Sequence, residues 1–175
     1  MKFNRLVFAL GLGAVMVTGA ANAADQGHGT VRFTGSIIDA PCSISGDSDG
    51  QEVNLGEVSS AALAKNGTSA PKNFEIELDN CTASTLKSGV SVTFTGAASS
   101  KNKDHLGITG TASGASIALT DGAGNPISLG KASSPQAIQD GTNHLLFSAY
   151  LQGDGASAPT PGDFTSVADF TLAYD

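Results

Sequence analysis

Residues 74–81, Phe74-Glu-Ile-Glu-Leu-Asp-Asn-Cys81, decide the fold class, because apolar and polar side chains alternate along them. A period of two is the spacing of a β-strand with one buried face. The same alternation recurs in short runs: Val31 and Phe33; Val90, Val92 and Phe94; Ile117 and Leu119; Leu145, Phe147, Ala149 and Leu151; Phe170, Leu172 and Tyr174. Turn-forming clusters lie at residues 45–50, 121–126 and 153–162. The pattern predicts one antiparallel β-sandwich, with one or two helical turns near residues 58–65.

The first 23 residues have the features of an export signal. Lys2 and Arg5 precede an apolar run over residues 6–17, and Ala21-Asn22-Ala23 is a small-x-small pattern of the kind that signal peptidase cuts. The alternative, a membrane anchor, would need about 20 apolar residues to span the bilayer. We therefore expect residues 1–23 to be a signal peptide, cleaved between Ala23 and Ala24. The mature chain is then an exported protein without a membrane insertion.

Charge and missing motifs narrow the function. The chain has 9 Lys and Arg against 16 Asp and Glu, a net charge of −7, so it has no basic stripe for nucleic acid. It contains no His-Glu-x-x-His pair and no phosphate loop that ends in Lys-Ser or Lys-Thr. Asp47-Ser48-Asp49-Gly50 resembles the start of a calcium loop, but the closing Glu is replaced by Val58, which favours a solvated turn. We expect no enzyme activity, no catalytic residue, no metal and no cofactor.

The two cysteines, Cys42 and Cys81, are expected to pair, because export places them in an oxidising compartment. Such a bridge stabilises a fold by roughly 4 kcal/mol in the chain-entropy model. The alternative is a metal site, which needs more than two soft ligands. His28, His105 and His144 are scattered without ligand spacing.

Residues 24–30 are polar and glycine-rich, yet they lead directly into Val31-Arg32-Phe33. Alternation places Gly29, Val31, Phe33 and Gly35 on one face. The pattern indicates an N-terminal arm, and the frayed start of the first strand is an equal alternative.

Several motifs follow one another along the chain: Gly29-Thr-Val-Arg-Phe-Thr-Gly-Ser-Ile-Ile-Asp-Ala-Pro-Cys42, Val53-Asn-Leu-Gly56, residues 74–81, Val92-Thr-Phe-Thr-Gly96, Asp140-Gly141-Thr-Asn143 and Phe170-Thr-Leu-Ala-Tyr174-Asp. In order and spacing they resemble those of the major pilins of the chaperone–usher pathway, the rod subunits of P and type 1 pili. Tyr174 is penultimate and Gly162 is fourteenth from the C-terminus, the pairing by which these subunits are recognised. The resemblance covers essentially the whole mature chain.

This resemblance implies an all-β fold, an incomplete immunoglobulin-like β-sandwich that lacks its last strand and has an N-terminal donor-strand arm. It implies a groove beside a final strand over residues 163–174, with Gly162, Phe170, Leu172 and Tyr174 as site residues. A periplasmic chaperone fills the groove first. At the outer-membrane usher, the arm of the next subunit replaces the chaperone through Gly29, Val31 and Phe33.

The implied organisation is a signal peptide at residues 1–23, an arm at residues 24–35 and a pilin domain at residues 36–175. The implied function is that of a structural subunit of a cell-surface fimbria, polymerising with identical or homologous pilins in support of adhesion. Two alternatives remain open. One is a minor or adaptor subunit of the same pathway, and the other is a stand-alone exported module that binds carbohydrate or protein.

Overall fold

The computed structural model describes residues 28–86, 88–155 and 157–174. The expected cleavage site at Ala23 and Ala24, and the first residues of the expected arm, lie outside these ranges. The chain divides into two compact units, Met1–Ile37 and Ile38–Asp175. The strands, in chain order, are β1 (Ser43–Ile44), β2 (Lys72–Cys81), β3 (Val90–Gly96), β4 (Leu106–Gly107), β5 (Thr109–Gly110), β6 (Ala115–Asp121), β7 (Pro126–Ile127), β8 (Gly141–Gly153), β9 (Phe164–Thr165) and β10 (Ala168–Tyr174).

The strands of the larger unit form three antiparallel sheets. The main sheet has the order β1-β2-β8-β6-β4, and β7 pairs with β6. A second sheet pairs β3 with β10, and a small third sheet pairs β5 with β9. Phe94 of β3 contacts Phe74 and Phe147 of the main sheet, with ring centroids 6.1 and 5.1 Å apart. The first two sheets therefore face each other across one core, as the sequence predicts for a sandwich.

Many of the buried side chains are those that the period-two pattern selects, although Leu63, Leu106 and Ile127 are buried outside those runs. The core contains alternate residues of four strands: Ile76 and Leu78 of β2; Val90, Val92 and Phe94 of β3; Ile117 and Leu119 of β6; and Leu145, Phe147, Ala149 and Leu151 of β8. The other face of β2 and β8 is exposed or half-buried, so these two segments remain half polar. In β3 and β6, Ser91, Ser116 and Ala118 on the other face are buried as well. The prediction of strands from alternation is confirmed for these four segments.

A disulfide joins Cys42 to Cys81. Cys42 directly precedes β1 and Cys81 ends β2, and β1 pairs with β2. The expected pairing of Cys42 with Cys81 is confirmed, and the bridge fastens two adjacent strands of the main sheet. The Thr82 N–H also donates to the Pro41 carbonyl at 2.9 Å, which holds the same corner.

The final segment differs from the single strand expected over residues 163–174. It breaks at Ser166 and Val167 into β9 and β10, which belong to different sheets. The Ser166 hydroxyl donates to the Gly107 carbonyl at 2.8 Å, a long-range contact at the point where the chain changes sheets.

The helical turns expected near residues 58–65 are also shorter than predicted. Turns over residues 60–63 lead into a 3-10 helix, Ala64–Asn66, and a second 3-10 helix spans Ala83–Thr85. Lys65 has φ +57°, a conformation outside the right-handed helical region, so the first of these helices does not extend further.

Candidate functional site at the last strand

Strand β10 is bonded along one edge only. Its partner is β3, from Ala168 opposite Gly96 to Tyr174 opposite Val90. The far edge of β3 is already covered, because the main-chain N–H groups of Gly130, Ser133 and Gln136 donate to its carbonyls at 2.8–2.9 Å. Within the described ranges, no strand pairs with the second edge of β10. An open edge presents unpaired N–H and C=O groups, through which an additional strand can bind.

The two faces of β10 differ in polarity. Phe170, Leu172 and Tyr174 are half-buried and pack against the core, whereas Asp169 and Ala173 are exposed. Successive side chains of a strand point to opposite faces. A strand added beside β10 would therefore continue an inner apolar row and an outer polar row.

Residues 51–58 have no regular secondary structure, although Leu55 and Val58 pack against the core. None of their main-chain groups bonds to another main-chain group of the described chain. The segment is held instead by side chains, and Gln51 Nε2 donates to the Glu75 carbonyl at 2.9 Å. The Gly56 N–H donates to Asn54 Oδ1 at 2.8 Å, and the other main-chain groups of the segment are a second set available to an added strand.

A cavity of about 880 Å³ opens between residues 50–58 and residues 159–166. Its apolar lining includes Leu55, Val58, Leu63, Ile108, Ile117, Leu151 and Phe164. Its charged lining is acidic, from Glu52, Glu57 and Asp163, and no described Lys or Arg lines it. The cavity ends at Ser166, two residues before β10, and no residue of β10 lines it; the cavity and the free edge of β10 are together called the open groove.

Gly162 lines the open groove, whereas Phe170, Leu172 and Tyr174 lie further along the chain on β10. A Cβ at position 162 would come within 2.7 Å of main-chain atoms of Thr111 and Ala112. The Thr111 N–H donates to the Asp163 carbonyl at 2.9 Å, and the Asp163 N–H donates to Thr111 Oγ1 at 2.9 Å. Glycine is therefore required here so that two backbone segments can approach closely.

The Tyr174 hydroxyl is buried, and no described residue forms a hydrogen bond with it. Burial raises the pKa of this phenol above its ordinary value. Gln136 Nε2 is likewise without a partner in the described structure, and Val90 pairs with both residues, one on each side. This end of the sheet therefore has two buried polar groups without a hydrogen-bond partner in the described structure. Each such group costs about 1–3 kcal/mol of stability.

The predicted arm residues carry exposed apolar side chains. Residues 28–39 contain no strand, and Val31 and Phe33 are 73% and 89% exposed. A Cβ built on Gly29 or Gly35 meets no atom within 4 Å. In solution such side chains are unfavourably hydrated, and contact with an apolar surface would stabilise them.

Ile37 is an exposed residue that the sequence analysis did not select. It is fully exposed and continues the alternation of Gly29, Val31, Phe33 and Gly35 by one further step. Extending the period-two pattern by two residues past Gly35 would have found it. The arm face therefore has three large apolar side chains.

Comparison with known proteins assigns this chain to a family. The family model described as fimbrial protein matches residues 31–175. The chain belongs to the fimbrial protein family. It is 61% identical over 175 residues to the Fimbria A protein of Serratia marcescens, with 99% of each chain covered.

Two solved structures are similar to this fimbrial chain. One is a chaperone–usher pilus, reported for the molecular basis of rod uncoiling, with a TM-score of 0.74 and 32% identity over 86% of this chain and 97% of that one. The other is the P pilus rod subunit PapA, with a TM-score of 0.65 and 33% identity over 78% of this chain and 100% of that one. The fold is therefore the incomplete immunoglobulin-like sandwich of these subunits. The protein is a structural subunit of a cell-surface fimbria, and the rod-subunit interpretation is favoured over the adaptor.

Two serines of this fimbrial subunit have polar surroundings that could suggest catalysis. Ser116 Oγ donates to Asp154 Oδ1 at 2.8 Å and lies 3.2 Å from His105 Nδ1. Asn102 Nδ2 lies 3.1 Å from His105 Nε2. Burial lowers the pKa of His105, against the opposing effect of Asp104 and Asp154. Because Ser116 is only 1% exposed, this chain of hydrogen bonds ties strands and loops together rather than presenting a nucleophile.

The expectation that the chain has no Gly-x-Ser-x-Gly motif is wrong at the level of sequence, because residues 46–50 have the spacing of a nucleophile elbow. Ser48 is buried and its Oγ accepts the Glu77 N–H at 2.8 Å. An elbow also needs a strand-to-helix turn, and in the described structure residues 51–59 contain no helix. Ser48 is therefore a structural residue that secures the turn to β2.

The described residues contain no group of three or more His, Cys, Asp or Glu side chains placed to hold a metal ion. Among the same residues, no helix has the length and apolarity needed to cross a membrane.

Proposed function

We propose that this subunit polymerises by strand addition, with the arm of one copy filling the open groove of the next. The observation that carries the proposal is that one chain has both an exposed alternating apolar segment and an unpaired strand edge, β10, whose inner face carries Phe170, Leu172 and Tyr174. Main-chain hydrogen bonds to the edge would supply affinity, and side chains in pockets would supply specificity.

The arm matches the groove in pattern and in energy. Val31, Phe33 and Ile37 would enter the inner row with Phe170, Leu172 and Tyr174 of the acceptor. Each large apolar side chain contributes about 1.5–3 kcal/mol when it is fully buried. Gly29 and Gly35 would fit where the cavity is shallow or the backbones approach closely. This assignment places the arm at residues 24–37, two residues longer than the expected range, with the pilin domain following it.

We also assign a periplasmic chaperone and an outer-membrane usher as partners. The support is the similarity to a chaperone–usher pilus and the incomplete sandwich, which exposes an apolar groove before assembly. A chaperone strand on β10 would cover that groove during export, and the usher would present it to the next arm. We attribute no catalytic step to the chain, since Ser48 and Ser116 are buried and already bonded.

The test uses the full mature chain with Val31→Asp and Phe33→Asp together. Both residues are exposed, so the subunit should keep its fold, but two charges would have to enter an apolar groove at a cost of several kcal/mol. We expect no homopolymer. Mixed with wild-type subunits, the variant should still accept an arm and stop chain growth, so native mass spectrometry should show short, capped oligomers.

The matched control is Thr30→Lys with Thr34→Lys, which adds two charges to the opposite face of the arm, with the sign that the acidic rim of Glu52, Glu57 and Asp163 tolerates. This control should polymerise. Homopolymers of normal length from the Val31 and Phe33 variant would show that the arm is not the donor strand.

A further inference from the structure

The apolar pattern alone leaves the position of the arm along β10 undetermined. A shift by one residue would turn the apolar side chains outward, but a shift by two returns them to the inner face. Val31 and Phe33 could therefore lie beside Phe170 and Leu172 or beside Leu172 and Tyr174. A contact on the outer face of the arm can select between these registers.

The outer face supplies a charge that could make this selection. Arg32 lies between Val31 and Phe33, so it faces outward whenever those two side chains face the core. It is exposed, and it is the one Lys or Arg of residues 28–37. On β10 the outward residues are Asp169, Thr171 and Ala173, of which Asp169 alone is charged.

Asp169 is available for such a contact. It is exposed, and the described chain contains no salt bridge to it. Its neighbour on β3 is the uncharged Thr95. The other carboxylates near the open groove, Glu52, Glu57 and Asp163, make the whole rim attractive to a cation.

We propose that Arg32 of one copy pairs with Asp169 of the next, and that this charge pair fixes the register of the arm; the proposal rests on the strand addition described above. Opposite residues of paired strands lie about 5 Å apart and diagonal ones about 7–8 Å apart, within reach of a long side chain. Arg32 can thus reach Asp169 when it lies opposite Asp169 or Thr171. If Arg32 lies opposite Ala173, which is four residues from Asp169, then Arg32 and Asp169 are about 13 Å apart along the strand. The pair excludes that register, whichever direction the arm runs.

The first test is chemical cross-linking of assembled polymer. Arg32→Lys places a primary amine at this position, and a zero-length carbodiimide joins an amine to a nearby carboxylate. Polymers are made from equal amounts of ¹⁵N-labelled and unlabelled full-length subunits, so that mass spectrometry identifies conjugates between copies. Lys131 and Asp104, 3.9 Å apart within one subunit, serve as the internal reference for coupling.

We expect the main conjugate between copies to join position 32 to Asp169. A main conjugate with Glu52, Glu57 or Asp163 would overturn the proposal. So would the absence of any conjugate at position 32 while Lys131 and Asp104 couple normally.

The second test exchanges the charges. Arg32→Glu and Asp169→Arg should each weaken addition of a subunit to a polymer end about fivefold, the upper range for one exposed charge pair. The double variant should return to within about twofold of wild type. Asp47→Arg, an exposed site outside the groove, is the matched control and should have no effect.

Additive losses in the double variant would overturn the charge pair but leave strand addition intact. If strand addition itself were wrong, a different result would reveal it: the variant with both Val31→Asp and Phe33→Asp would form normal polymer.

Discussion

Phe33→Ala separates the stability of the subunit from the stability of the polymer. Phe33 is 89% exposed in the subunit, so its loss should change the free energy of subunit unfolding by less than about 0.5 kcal/mol. If the ring is buried in the next subunit, its removal costs the polymer contact about 3 kcal/mol. That loss corresponds to roughly a hundredfold weaker subunit association.

Phe147→Ala should instead destabilise the subunit itself. Phe147 is 1% exposed, and its ring centroid lies 5.6 Å from that of Phe74 and 5.1 Å from that of Phe94. We expect this variant to lose about 3–5 kcal/mol of subunit stability. The contrast between the two Phe variants distinguishes a residue reserved for a partner from a residue of the core.

The assay has two parts. Urea unfolding of dilute refolded monomer reports subunit stability, and the subunit concentration that remains free at equilibrium with polymer reports association. Thr34→Ala, on the other face of the arm, should leave both unchanged. The reasoning is refuted if Phe33→Ala lowers monomer stability as much as Phe147→Ala, or if it leaves polymer association unaltered.

Two further predictions concern the subunit alone. Replacing both Cys42 and Cys81 by Ser opens a bridge with a sequence separation of 39 and should lower unfolding stability by about 4 kcal/mol; an unchanged urea midpoint would contradict this. The second concerns His105, whose pKa is held below its ordinary 6.5 by burial. The unfolded chain binds this proton more readily, so stability should fall as the pH drops below about 6.5. His105→Gln should remove that part of the pH dependence, and equal pH profiles for the two proteins would refute it.

The sequence predicted the strands whose burial is regular. In β2, β3 and β8, every second residue faces the core, so Ile76, Val92 and Phe147 could be selected from alternation alone. The pairing of Cys42 with Cys81 followed from the expected export to an oxidising compartment. These features depend on local periodicity or on one simple pairing, and both are visible in a single sequence.

The features that the sequence did not predict depend on long-range contacts. The break before β10 coincides with the bond from Ser166 to the Gly107 carbonyl, 59 residues away. The bonds of Ser116 to His105 and Asp154 join residues 11 and 38 positions apart. The lack of main-chain partners at residues 51–58 could not be predicted either, although half-buried Val53 and Leu55 alternate with exposed Asn54 and Gly56. Whether a segment is paired depends on the strands beside it, and these are remote in sequence.

The edges of the other strands are protected against pairing and the edge of β10 is not, which explains why strand addition should occur at β10. Exposed edges invite uncontrolled pairing, and proteins limit it with short strands, Pro, charge or covering segments. In the described chain, β1 and β4 end the main sheet with two residues each, β7 begins with Pro126, and residues 130–136 cover β3. By contrast, β10 has seven residues with no Pro or Lys. Its one charge is Asp169, which lies on the outer face and leaves the inner apolar row unprotected. An edge of this kind would be a liability in a monomer, but it suits a subunit whose neighbour completes the sheet, and a single outward charge restricts that pairing without preventing it.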